Sequence, residues 1–405
     1  MKWDVRPCSS IDELRLAVAP IWQYFGLSVP TDDQFDRVGR VLPAERMHAV
    51  WENGQVVGGA GALPFTLTIP GGRIPAAGVT AVGVLPTHRR RGILTALMRA
   101  QLDACRQRGE SVAYLWATED TIYGRFGYGV ASFAADIDIA RERSAFHTAF
   151  EPVGTTRIVP VAQAEPLVAR VYERVAAATA GMFARSPDWW RARSLSDPSW
   201  RRRGGGEMQC VVVESGETAT AYALYRLNIG FDRGVQTGAV DVIEAMGDSP
   251  AATRTLWRFL LDIDWMARLR AGLLAIDHPL LLLAAEPRRL RMSVRDGLWL
   301  RLVDVEAALS RRAYAAQDAV VVEVKDGFCP WNDGRFGIDA GRVARTTQAG
   351  DLVCDVTALG SVYLGGFTWA QLARAGRVEE LREGGIRRAD GLFGTDHAPW
   401  CPEVF

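Results

Sequence analysis

The sequence predicts an α/β (α+β) protein of several domains, and three observations carry that prediction. A chain of 405 residues is longer than one hydrophobic core usually serves. Its first ~140 residues alternate strand and helix patterns, as α/β folds do. The region after them repeats that plan in blurred form, and from Asp296 onward the pattern changes again. Domains are therefore expected over 1–140, 141–290 and 291–405.

The elements follow in order. An amphipathic stretch over 11–22 opens the chain, and a strand at 49–51 meets Asn53-Gly54, a hairpin signal, before returning through 56–60. Residues 65–69 alternate cleanly, Pro70-Gly-Gly72 turns the chain back, and 79–84 reads as a compact apolar strand. Leu94, Leu97, Met98 and Leu102 stand at helical spacing and predict a helix over 91–105. A strand at 112–116 precedes a glycine-rich segment, 123–129. Gly58-Gly-Ala-Gly61 partly matches a nucleotide loop, but no helix pattern follows it, so it reads as close strand packing.

In the second region a helix is expected over 165–178, and Ser186-Pro187 has the cap-then-proline form of another helix start. Residues 209–213 and 218–227 form a hairpin pattern around 214–217. A strand at 238–243 then precedes a helix over 250–263. That order resembles the earlier strand and helix, which makes an internal duplication plausible. In the third region 320–324 and 351–356 are strand-like, and 368–374 and 378–383 read as helices.

Composition narrows the function classes. Lys+Arg and Asp+Glu both number 47, which argues against a nucleic-acid or anionic-membrane binder. The six cysteines are scattered and the five histidines isolated, so neither a disulfide framework nor a metal site is expected. The polar start and the lack of a long apolar run lead to the expectation of a soluble, cytoplasmic protein. Trp189, Trp190 and Trp200 with the arginine run 201–203 could suggest base stacking, yet read better as helix core with a solvated edge.

The most informative stretch is Val82-Gly-Val-Leu-Pro-Thr-His-Arg-Arg-Arg-Gly-Ile-Leu94. A strand ends at Val84, and a basic loop with one glycine leads into a helix. The first turn of a helix offers unpaired N–H groups and the positive end of the dipole, a site for a pyrophosphate. Gly92 admits an anion close to the backbone, and Arg89, Arg90 and Arg91 add positive charge. Cations ordinarily favour the other helix end, so a bound polyanion explains three arginines here. A solvated basic turn is the alternative.

These residues resemble motif A of the GNAT N-acetyltransferases, with the signature Q/R-x-x-G-x-G/A met by Arg89, Gly92 and Leu94; Leu94 replaces the usual small residue. Four further anchors recur in order: 122–129, Tyr222-Ala-Leu-Tyr-Arg226, Asp296-Gly-Leu-Trp-Leu-Arg301 and the terminal Phe405. The series is similar to the Enhanced intracellular survival (Eis) family of multi-acetylating aminoglycoside acetyltransferases and spans nearly the whole chain.

The resemblance implies tandem GNAT-like domains, the second degenerate, plus a C-terminal sterol-carrier-protein-like α+β domain, assembled as a homohexamer. Acetyl-CoA is the implied co-substrate and no metal is implied. Val82, Gly83 and Val84 would hold the pantetheine arm. Arg90, Arg91, Gly92, Ile93, Leu94 and Thr95 would hold the pyrophosphate, and Thr118 and Glu119 would line the far end of the channel. Tyr123 maps to the general acid and the Phe405 carboxylate to the general base. In the second copy Met246-Gly-Asp-Ser-Pro250 replaces the basic loop, and Asp248 would repel a pyrophosphate.

Direct transfer needs a neutral amine as acceptor and a stabilised thiolate as leaving group, which a carboxylate and an oriented tyrosine can supply. On the residues alone, Tyr123 and Tyr128 could equally be core aromatics. Expected partners are small-molecule amines (aminoglycoside or polyamine) and protein lysines. Trp22, Tyr24, Phe25, Asp32, Asp33 and Phe35 are candidates to line an acceptor pocket. A non-catalytic CoA-binding scaffold and an enzyme preferring longer acyl groups are the alternatives.

Overall fold

The computed structural model describes residues 3–26, 28, 30–202 and 204–405; Arg203 of the arginine run and the first two residues of the polar start lie outside them. The chain forms two compact units. One gathers the chain up to Ser132, Gly297–Pro399 and Val404–Phe405; the other is Phe133–Asp296 with Trp400–Glu403.

The first unit is built on a seven-stranded sheet, ordered Asp4–Pro7, Met47–Glu52, Gln55–Ile69, Gly72–Val84, Val112–Trp116, Leu298–Leu302, Gly129–Val130. The long hairpin of Gln55–Ile69 and Gly72–Val84 turns at Gly71, whose φ of +96° only glycine adopts readily. The helix Ile93–Gln107 then carries the chain to Val112–Trp116, which lies parallel to Gly72–Val84. Its predicted stripe is real: Met98 and Leu102 are fully buried beside Ala77, Val79, Ala113 and Leu115, and Leu97 is buried beside Val50, Val57 and Ala60. The segment 58–61 lies inside a strand, and a Cβ on Gly59 would fall 2.7 Å from the Ala17 carbonyl, so close packing accounts for its glycines.

Leu298–Leu302, distant in sequence, enters this sheet antiparallel to Val112–Trp116. It brings in Arg301, which is fully buried and paired to Asp326 at 2.5 Å. Asp326 also accepts from Asn332 Nδ2 at 2.9 Å. A Cβ on Gly127 would lie 1.7 Å from the Arg301 guanidinium, which explains the glycine in that segment.

The same unit holds a five-stranded sheet, ordered Arg342–Arg345, Gly334–Asp339, Ala319–Lys325, Leu352–Asp355, Val378–Glu380. The helices Val305–Arg311, Val356–Tyr363, Trp369–Arg374 and Gly385–Phe393 belong with it. Residues 378–383, expected as helix, instead supply the edge strand Val378–Glu380, antiparallel to Leu352–Asp355. Pairing with the sheet and burial of Val378 outweigh the helix preference of the glutamates.

The second unit repeats the first plan. Its sheet runs Ser293–Asp296, Phe133–Ala140, Arg268–Leu274, Ala239–Gly247, Thr218–Asn228, Gln209–Ser215, Thr155–Val159. Helix Val161–Ala178 packs Val168, Val171 and Tyr172 against Cys210, Val212 and Tyr222. Helix Pro250–Asp262 packs Leu256, Trp257 and Leu260 into a separate cluster with Val240 and Leu269. Strand Ala239–Gly247, this helix and the parallel strand Arg268–Leu274 reproduce the order seen at 72–116, so the duplication visible as a sequence pattern is structural. No helix among the described residues is long and apolar enough to cross a membrane.

Candidate active site

The two central parallel strands of the first sheet pair only over Ala76–Gly78 with Val112–Tyr114. Gly72–Val84 continues past that point with a partner on one side only. A bulge drives the departure: the register against Gln55–Ile69 shifts between Gly59 and Gly61, and Ala81 opposite takes φ +51°. Such a bulge adds twist and bends the strand away. The diverging edge of 79–84 thus offers backbone N–H and C=O groups that need partners. Val82 and Val84 are half-buried there, and Gly83 is buried because helix Ile11–Tyr24 presses on it; a Cβ would meet Ile21 at 2.9 Å.

The basic loop follows directly. Gly92 is the N-cap of Ile93–Gln107 at φ +83°, without a side-chain cap, and a Cβ placed on it meets nothing within 4 Å. The first bond into the helix runs from Ala96 N–H to the Gly92 carbonyl, 3.0 Å. The N–H groups of Ile93, Leu94 and Thr95 therefore have no partner from within the helix. Thr95 and Gly92 are exposed, Leu94 is half-buried and Ile93 is core.

The three arginines separate into different roles. Arg91 pairs with Glu52 at 2.6 Å and lies over the Trp3 ring at 4.9 Å. His88 Nε2 meets the same carboxylate at 2.8 Å. The hydrogen bond from Arg91 is the main reason the Glu52 carboxyl sits below its usual range. Glu52 therefore ties the loop to the end of strand Met47–Glu52. Arg89 covers the Tyr24 ring at 4.7 Å. Arg90, at φ +61°, is exposed and forms no ion pair among the described residues, which leaves its charge available. No local pattern points to Glu52, which stands 39 residues away from Arg91.

Thr118 and Glu119 are exposed just past Val112–Trp116, and Glu119 accepts from the Tyr24 hydroxyl at 3.4 Å. Tyr123 ends the short helix Asp120–Tyr123 and packs on the cluster of Ala77, Val79, Ala113 and Leu115, edge-on to Tyr128 at 5.9 Å. Burial first, then Tyr24 and Glu119, pushes its pKa up to about 12. Tyr128 is fully buried and is a core aromatic.

Phe405 is also seated. Its ring lies edge-on to Phe65 at 5.1 Å and to Tyr114 at 5.0 Å. A Cβ on Gly78 would come 3.3 Å from the Phe405 ring and 2.3 Å from the Phe65 ring. Successive strand residues point to opposite faces. Ala77, Val79, Ala113 and Leu115 face Tyr123, whereas Gly78 and Tyr114 face Phe405. Tyr123 and Phe405 thus flank the vertex of the diverging strands from opposite sides of the sheet. Gly78 stands just before the strand expected at 79–84, and no local pattern marks it for this close approach.

The six candidate acceptor-pocket residues are not gathered into one lining. Phe35 is core beneath the Arg15 guanidinium, 4.7 Å from its ring centroid. Asp32 pairs with Arg15 at 2.7 Å and Asp33 with Arg37, in the first turn of helix Asp32–Val41. A capping box of Thr31 and Gln34 starts that helix, so the two acids complement a helix N-terminus. Trp22 is half-buried and Phe25 exposed, edge-on to Tyr24. Tyr24 is the one that reaches the site, through Arg89 and Glu119.

In the second copy the matching helix start is already satisfied. The Ser249 hydroxyl accepts from the Ala252 N–H, Pro250 has no N–H to offer, and Asp248 is tied to Arg174 at 2.8 Å. That turn keeps only the Ala251 N–H without a partner from within the helix, with a carboxylate in place of the basic loop beside it. Among the described residues no cluster of three or more His, Cys, Asp or Glu side chains could hold a metal ion.

Comparison with known proteins settles the family. Acetyltransferase (GNAT) domain models match residues 11–131 and 181–302, and a sterol carrier protein domain model matches 305–402. An N-acetyltransferase of Streptomyces avermitilis is 40% identical over the full length of both chains. N-acetyltransferase Eis of Mycobacterium tuberculosis is 34% identical, covering 84% of each chain. The chain belongs to the Eis family of GNAT N-acetyltransferases. The crystal structure of Eis1 from Mycobacterium abscessus matches this Eis-family fold over all of both chains, with a TM-score of 0.86 and 37% identity. The enzyme is an N-acetyltransferase with two GNAT domains and a sterol-carrier-like domain, and GNAT acetyltransferases use acetyl-CoA.

Proposed function

We propose that this Eis-family enzyme transfers acetyl directly from acetyl-CoA to primary amines of the aminoglycoside, polyamine or lysine type, with Tyr123 as general acid and the Phe405 carboxylate as general base. The observation that carries the reading is the placement of Tyr123 and Phe405 on opposite faces of the sheet at the strand vertex.

The residues present suit the donor. The unpaired edge at Val82, Gly83 and Val84 matches the amides of a pantetheine arm. The uncapped start of Ile93–Gln107, with Gly92 open above it and Arg90 forming no ion pair among the described residues, suits a pyrophosphate. Arg91 acts as a strut through Glu52 and adds a weaker charge. Thr118 and Glu119 border the end of the channel beyond the strands. Acetyl-CoA supplies a thioester carbonyl as the acyl source.

The acceptor amine is mostly ammonium at neutral pH. The Phe405 carboxylate takes its proton, directly or through one water, and the freed nitrogen attacks the carbonyl carbon; the second proton, which the nitrogen sheds as the amide forms, goes to the departing sulfur through solvent, so the products are the amide and CoA thiol. As the C–N bond forms and the C–S bond breaks, charge builds on sulfur. Tyr123, protonated throughout the physiological range, donates a hydrogen bond to that sulfur. With a pKa near 12 it is a weaker acid than a thiol at ~8.5, so its contribution is mainly stabilisation of the thiolate.

The test is release of free CoA thiol from acetyl-CoA, with and without a panel of amines, for the enzyme ending at Phe405 and for Tyr123→Ala. Acceptor-dependent release that falls sharply in the variant supports the reading. CoA binding without release for any amine would favour a scaffold, and faster turnover with longer acyl-CoA donors would change the donor.

A further inference from the structure

We propose that the diverging strands of the degenerate GNAT domain form a socket for the enzyme's own tail, and that Arg185 and Glu403 are positioning residues that hold the tail in place. The functional consequence rests on the reading of Phe405 as the base.

In the second unit the parallel strands pair over Ala239–Val242 with Arg268–Ala271 and then part, as the first pair does. In the first domain such an opening suits a cofactor arm. Here tail residues occupy it. Trp400 is buried in the cluster that includes Met246, Tyr172 and Trp190. Its indole N–H donates to the Leu273 carbonyl at 2.5 Å, and its backbone N–H donates to the Ala180 carbonyl at 2.8 Å. Met246 and Leu273 both lie beyond Val242 and Ala271, the last residues that pair these two strands with each other, so Trp400 fills the divergence itself.

Glu403 completes the grip. Its carboxylate accepts from Trp189 Nε1 at 2.9 Å and from Ser194 Oγ at 3.1 Å, and pairs with Arg185 at 2.8 Å. Arg185 is almost wholly buried between the Tyr172 and Trp190 rings, 4.0 and 4.6 Å from their centroids. It also pairs with Glu244 at 2.5 Å, and the Tyr222 hydroxyl donates to Glu244. Glu244 takes both Nη1 and Nη2 of this guanidinium, and the Glu403 carboxylate lies against the same Nη2, so one cationic end held between aromatic faces serves two carboxylates. That second carboxylate comes from the tail, two residues before Phe405. The degenerate copy thus keeps its splayed strands while its helix start has lost the anion site.

Arg185 is central to a core, and its replacement could unfold the domain, so the tail side is the place to intervene. Two readouts on enzyme with an unextended C-terminus decide the matter: the rate at which a carboxypeptidase releases Phe405, and kcat with KM for acetyl-CoA. Glu403→Ala is expected to speed release at least tenfold and lower kcat about tenfold, with KM for acetyl-CoA unchanged. Glu403→Gln, which keeps an acceptor for Trp189 and Ser194, should fall between the two. Release at the wild-type rate in Glu403→Ala would overturn the socket. Fast release with kcat unchanged would keep the socket and overturn Phe405 as the base.

Discussion

The Phe405 ring meets the Tyr114 ring edge-on at 5.0 Å, at the last residue pair that joins the two central strands of the catalytic domain. Tyr114 is paired there with Gly78, which has no side chain to compete for the same space. Gly78→Val should displace the Phe405 and Phe65 rings and lower kcat at least tenfold, with little change in KM for acetyl-CoA. Unchanged kcat in a folded variant, by circular dichroism and steady-state assay, would remove the ring seat from the account.

The loop arginines should differ in consequence. Arg90→Ala removes a charge that forms no ion pair among the described residues and should raise KM for acetyl-CoA five- to tenfold with a small effect on kcat. Gly92→Ala forces alanine to φ +83°, at a cost of about 1–2 kcal/mol, and should raise the same KM. Glu52→Gln should also weaken CoA binding, by releasing Arg91 and His88. Titration of CoA by calorimetry checks all three.

Tyr123→Phe should lower kcat about 10- to 100-fold and leave KM for acetyl-CoA nearly unchanged, because the lost hydroxyl acts on developing charge. Burial raises the Tyr123 pKa to about 12, so its ionisation should produce no fall in rate below about pH 11. A basic limb near pH 9 or 10 that disappears in the Phe variant would contradict this placement.

His48 is buried in strand Met47–Glu52, and burial, then Arg108 and Arg46, bring its pKa down to about 4. The folded state keeps it neutral while the unfolded chain takes up a proton from about pH 6.5. Its contribution is therefore intact above pH 6.5 and is lost as the pH falls toward 4, about 3 kcal/mol in all. Urea melts at pH 7 and pH 5 should show this loss, and His48→Phe should reduce the difference between the two pH values.

The sequence disclosed what depends on local pattern. The strand, loop and helix around Gly92 were readable because apolar spacing and a glycine after a basic run have local physical meaning. The duplication was readable for the same reason. Contacts made across the chain were not. Nothing local shows that Glu52 will hold Arg91, that Gly78 clears a seat for Phe405, or that Arg185 will meet Glu403. The helix expected at 378–383 failed where sheet pairing set the conformation of three residues. The acidic pair Asp32 and Asp33 looked like an amine site and proved to be the first turn of a capped helix.

The most direct measurement is acceptor-dependent turnover of the enzyme ending at Phe405 against the same enzyme extended by one glycine. The extension turns the Phe405 carboxylate into an amide and leaves its ring in the chain. General base catalysis is worth roughly 10²- to 10⁴-fold, so kcat should fall at least 100-fold, with CoA affinity retained. Full turnover by the extended enzyme would contradict the account and assign the proton to another group.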